Sequence, residues 1–178
     1  MDAAVVLHFW FDEISPEQWW RRDPVFDQTV RSRFAELHEA ASRAELWAWR
    51  NMAPGRFAEI IVLDQFSRNM YRDDARAFAR DALALGLAQE AVRIGADLEI
   101  APERRAFIYM PYMHSESQLI HAIAVELFRE RAPANFDYEL RHKAIIDRFG
   151  RFPHRNGVLG RTSTPEELAF LAEPGSSF

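Results

Sequence analysis

Acids, bases and guanidinium groups recur in this chain at spacings suited to proton transfer or anion binding. Asp64 and Arg68 stand one helical turn apart, with the acid on the N-terminal side. On an exposed helix such a pair contributes only ~0.3–0.5 kcal/mol. Here it follows Ile60, Ile61, Val62 and Leu63, so a partly desolvated pair is expected, and a buried carboxylate needs a partner. His114 and Glu116 flank a serine, His142 falls on the apolar face of a later segment, and Arg151, His154, Arg155 and Asn156 cluster near glycines. Glu116, His142 and Asp64 are the candidate catalytic acids and bases, and His114 and His154 can also titrate near neutrality. Arg68, His114, Arg151, His154, Arg155 and Asn156 are candidate ligand-binding residues, because forked guanidinium N–H groups match carboxylate or phosphate oxygens. A metal variant would draw on His114, Glu116, His142 and His154. Those four show no diagnostic ligand spacing, so neither a metal nor another cofactor is expected.

Residues 149–161 hold three of the seven glycines, together with Pro153. Glycine permits positive φ and close backbone approach, while proline fixes a bend, so this stretch reads as a loop able to close over a pocket. Its structural alternative is a plain helix-to-helix connection. The candidates have similar alternatives: an ion pair for Asp64 and Arg68, a helix-dipole carboxylate for Glu116, and a hydrogen-bonded core histidine for His142. Motifs that would specify a reaction are missing, with no Gly-rich phosphate loop, GxSxG elbow or HExxH. Cysteine is absent, which excludes thiolate nucleophiles, disulfides and cysteine-ligated metals.

The elements that must position these residues read as helices throughout. A first helix over 3–12 is apolar nearly all round. The second follows Asp23-Pro24 and carries Phe26, Val30, Phe34 and Leu37 on one stripe. All five tryptophans fall within the first 49 residues and are assigned to core packing. Residues 56–69 form the most hydrophobic and therefore central helix. A long helix over 75–95 follows, with Gly86 retained for close packing, then one over 103–110 that Pro111 ends or kinks. Ser115 with Gln118 suggests a capping box before a helix burying Leu119, Ile120, Ile123, Ala124, Leu127 and Phe128. The segment 136–149 places Tyr138, His142, Ile145 and Phe149 on one face, and Thr164-Pro165-Glu166-Glu167 starts a short closing helix. With 178 residues and 48% hydrophobic content, the chain suits one all-α domain of about eight helices in antiparallel pairs, over 1–173, with a frayed tail at 174–178.

The segments Leu63-Asp64-Gln65-Phe66-Ser67-Arg68-Asn69 and Pro111-Tyr112-Met113-His114-Ser115-Glu116, the 149–161 stretch and Ser163-Thr164-Pro165-Glu166-Glu167 resemble the bacterial family called domain of unknown function 924. The opening Phe9-Trp10-Phe11 fits the same pattern. The resemblance implies an all-helical, tetratricopeptide-like fold without the tetratricopeptide signature, and no established activity. Three function classes stay open: a pocket for a small anionic or polar ligand, a hydrolase-type enzyme using the same carboxylates and histidines, and a helical scaffold for a peptide partner. A formal charge of −5 argues against nucleic acid as a partner. The apolar run at 5–11 is too short to span a bilayer and lacks a cleavage pattern, so a cytoplasmic protein is expected.

Overall fold

The computed structural model describes residues 1–176, and among these every regular element is helical. The α-helices are α1 (Ala3–His8), α2 (Pro24–Ser42), α3 (Ala53–Ile61), α4 (Ser67–Met70), α5 (Asp81–Arg93), α6 (Ala106–Met113), α7 (Gln118–Arg131), α8 (Phe136–Phe149) and α9 (Pro165–Leu171). Short 3-10 turns link several of them. A π turn over Val62–Phe66 joins α3 to α4, so the two run on as one central rod. No helix among the described residues is long and apolar enough to cross a membrane.

Aromatic packing holds the N-terminal half together. Phe34 lies between Phe9 and Phe66, with ring centroids 4.9 and 4.8 Å away, and Trp10 packs on Phe66 at 5.6 Å and Phe107 at 5.8 Å. Ile60, Ile61, Val62 and Leu63 of the central rod are fully buried, as its composition requires. Of the five tryptophans, however, only Trp10 is wholly inside; Trp20 is 60% and Trp47 67% exposed. Trp19 is half-buried and donates its indole N–H to the Trp10 carbonyl at 2.9 Å.

Several boundaries differ from the sequence reading, each for a local reason. The expected helix over 75–95 is two elements, a 3-10 turn at Ala75–Phe78 and then α5. The break puts Asp81 in the first turn of α5, where the helix dipole favours a carboxylate. Pro111 does not end α6, which continues to Met113. All eight of its residues are buried, and that packing outweighs one lost backbone bond. Ser117, not Ser115, caps α7. Leu119 (73% exposed) and Ile123 face outward, and α7 instead buries His121, Ala124, Leu127 and Phe128. In α8 Tyr138 is exposed while Glu139, His142, Ile145 and Ile146 are inside. The two helices are turned so that His121 meets Glu139 at 2.7 Å, a polar pairing that hydrophobic periodicity does not register. Of the expected tail, residues 177 and 178 lie outside the described residues, and the Ser176 hydroxyl donates to the Leu171 carbonyl at 3.2 Å.

Two glycines in helices differ sharply. A Cβ on Gly55 would lie 2.0 Å from the Trp49 carbonyl oxygen, whereas one on Gly86 would meet nothing within 4 Å, so close packing does not require Gly86. Gly86→Ala is therefore expected to stabilise the protein by about 0.5–1 kcal/mol. Gly55→Ala should destabilise it by roughly 1–3 kcal/mol, because backbone must move. Urea unfolding of the two variants measures both signs.

Candidate functional site

Asp64 lies in the π turn and is wholly buried. Arg68 Nη1 stands 3.0 Å from its Oδ1 and also donates to its backbone carbonyl at 2.9 Å. His114 Nδ1 is 2.8 Å from the same Oδ1, and the Gln65 amide donates to Oδ2. Burial opposes ionisation of Asp64, yet Arg68 and His114 outweigh it and hold the carboxyl below its ordinary range. Arg68 is shared: Nη1 and Nη2 also grip both oxygens of Asp81, at 3.0 and 3.1 Å. Burial, aided by Arg68, lowers the His114 pKa. The ring is therefore neutral at pH 7, donates its Nδ1 proton to Asp64, and keeps Nε2 as an acceptor.

Arg155 comes from the glycine-rich loop but is buried, not a surface loop residue. Its guanidinium is sandwiched between the Phe78 and Phe152 rings, 4.5 and 4.4 Å from their centroids. The guanidinium's one hydrogen bond among the described residues is Nη1 to Asp81 at 3.3 Å, and the buried Nε has no partner there. Burial and the neighbouring Arg68 pull its pKa down to about 10, so it stays a cation at neutral pH. Glu116 is clamped instead by Arg161, at 2.6 and 2.9 Å, and accepts the Phe152 backbone N–H at 2.7 Å. Burial raises its pKa, but the Arg161 bonds prevail and the net shift is downward. A pocket of about 350 Å³ opens on these groups. Asp81, His114, Ser115, Glu116 and Arg155 form its polar side, and Phe78, Ala82, Leu85, Pro111 and Leu159 its apolar side.

The structure thus brings Asp64, Arg68, His114, Glu116 and Arg155 into one region. Arg151 and Asn156 turn elsewhere. Arg151 forks onto Glu167 at 2.6 and 2.8 Å, and the Asn156 amide donates to Ser163 Oγ at 3.0 Å. Glu167, drawn down to about pKa 2 chiefly by Arg151, also closes the capping box that starts α9. His142 donates to the Tyr138 carbonyl at 2.7 Å, and its ring lies 6.3 Å from that of His114. His154 packs on Phe152 at 5.7 Å. Neither borders the pocket. Sequence reasoning omitted Asp81 and Arg161. Both are ordinary members of a charge-rich chain, and only their partners single them out. Among the described residues no three His, Asp or Glu side chains are arranged to hold a metal ion.

A second buried pair supports the segment that carries His114 and Glu116. His121 Nε2 lies 2.9 Å from the Ser115 carbonyl, which can only accept, so that nitrogen carries a proton. Its Nδ1 shares one further proton with Glu139 Oε1 at 2.7 Å. Burial raises the Glu139 pKa, and its other oxygen is buried without a partner among the described residues.

The family model for bacterial proteins of unknown function (DUF924) matches residues 6–175. Among solved structures, the protein of unknown function ATU0120 from Agrobacterium tumefaciens is similar over 96% of each chain, with 38% identity and a TM-score of 0.91. No curated protein matches the chain.

Glu139→Gln, whose amide can keep the hydrogen bond to His121 Nδ1, is expected to change unfolding free energy by less than about 1 kcal/mol, while Glu139→Ala, which removes the buried partner, costs roughly 2–4 kcal/mol. Equal losses in chemical denaturation would show that the hydrogen bond alone does not hold the pair. Acid sensitivity follows from His38, His114, His142 and His154, whose pKa values burial lowers, to about 3 for His142 and about 4 for His154. The unfolded chain takes up protons near pH 6.5 that the folded imidazoles refuse, so this stability is full above 6.5 and lost as pH falls toward 4. Unfolding free energy should drop by at least about 2 kcal/mol between pH 7 and pH 5. Denaturant titrations across that window check it.

Proposed function

The chain belongs to the bacterial DUF924 family, and within that fold we propose that it binds a small organic carboxylate in the pocket between α5 and the glycine-rich loop. One observation carries the reading: Arg155 is a buried cation bordering the pocket with unused N–H donors. Each neighbouring guanidinium is already engaged, Arg68 by Asp64 and Asp81, and Arg161 by Glu116. Arg155 holds Asp81 only by a single long bond, so an incoming carboxylate can take its free edge. The apolar side then covers a short hydrocarbon body such as that of butyrate or benzoate. A volume of about 350 Å³ stands at the small end of ligand pockets and suits a metabolite better than a peptide segment.

Removing Arg155 with alanine would also open the aromatic sandwich, so methionine is the better variant, keeping the stem while deleting the donors. Butyrate at about a hundredfold excess over its Kd should raise the melting temperature of the unmodified protein by roughly 5–10 °C. Arg155→Met should show no such rise. Equal shifts in both proteins would place the carboxylate elsewhere.

A further inference from the structure

We infer that the pocket is catalytic: His114, held by Asp64, acts as general base on a water molecule in the hydrolysis of a small carboxylic ester whose acyl oxygen rests on Arg155. This rests on the carboxylate-binding reading above, because the bound carboxylate is then the product. The geometry points to it in three ways. His114 borders the pocket, and the only hydrogen bond of its ring among the described residues is through Nδ1, to an ionised buried carboxylate. That bond fixes the tautomer and leaves Nε2 to accept a proton, as in acid–base–orienter arrangements generally. Arg155 borders the same cavity and spends only one long bond on Asp81, so its remaining N–H groups can meet negative charge developing on a carbonyl oxygen. The apolar side accommodates the acyl chain.

The step balances with water as the only co-reactant. The water oxygen bonds to the acyl carbon while its proton passes to His114 Nε2, and the carbonyl π electrons move onto the oxygen facing Arg155. Collapse of that intermediate breaks the acyl C–O bond, and His114 returns the proton to the departing alkoxide. The products are an alcohol and a carboxylic acid, which ionises. Asp64 does not line the cavity and acts through His114, so it is a positioning residue. The charged and titratable groups surrounding the base are Asp64 and Arg68 from the central rod, Asp81 from α5, His142 from α8, and Glu116, His154 and Arg155 from the connecting segments.

The test measures hydrolysis of 4-nitrophenyl butyrate and, in parallel, calorimetric binding of butyrate. The unmodified protein should turn the ester over with kcat independent of pH from about 7 to 9 and falling only on the acid side of the ordinary imidazole range, because burial lowers the His114 pKa. His114→Gln should retain butyrate binding and lose about 10²–10⁴-fold in kcat with little change in KM. Asp64→Asn should move the acid limb to lower pH, because the negative charge beside His114 is gone. Butyrate binding without turnover overturns the catalytic inference and leaves the binding reading standing, whereas absence of both overturns the two together. Turnover that survives in His114→Gln also overturns it. If His114→Gln does not fold, the pH profile of the unmodified protein decides: a rate that keeps climbing tenfold per pH unit above 8 marks hydroxide attack and rejects a histidine base.

Discussion

The fully buried carboxylate of Asp64 is the constraint around which the molecule is arranged. An isolated ion there would cost several kcal/mol, comparable with the whole stability of a domain. Arg68 lies one turn further along the same rod and cancels the charge, and His114 and Gln65 occupy the remaining lone pairs. Arg68 has more donors than Asp64 can use, so it reaches Asp81, and Asp81 in turn reaches Arg155. The central rod, α5, the end of α6 and the glycine-rich loop are thus tied by one alternating series of charges.

Other buried charges in the same protein show what a closed arrangement looks like. Glu59 is forked by Arg50 at 2.7 and 2.8 Å, and the largely buried Asp27 is forked by Arg72 at 2.6 and 2.8 Å. Neither cluster borders the 350 Å³ pocket, and each serves to pin one helix or turn to another. The series ending at Arg155 differs because its last cation is under-used and adjoins open space. Buried polar groups are ordinarily satisfied, so an unspent donor beside a cavity is the feature that distinguishes a site from a strut. The loop geometry follows the same logic. Gly150 takes φ of 68° to end α8, and Glu116 then receives the Phe152 N–H while Arg161 returns to clamp that carboxylate, which holds the loop against the start of α7.

By itself the sequence determined the all-helical class, the central position of the segment around Ile60–Leu63, the Asp64–Arg68 pair and the Thr164 capping box. These depend on contacts within three or four residues, where helical periodicity and side-chain reach are enough. The tertiary structure alone decided the partners. Asp81 and Arg155 are 74 residues apart, Glu116 and Arg161 are 45 apart, and His121 finds Glu139 across two helices. It also decided which of several similar arginines borders the cavity: Arg155 turns inward between two phenylalanines, while Arg151, four residues earlier, leaves for Glu167. The same applies to α7 and α8, where satisfying a buried histidine and glutamate set a rotation that the apolar stripes of Leu119, Ile123 and Tyr138 alone would have placed differently. Charge pairing at long sequence separation leaves no periodic trace, because any acid can neutralise any base once the fold has brought them within about 3 Å.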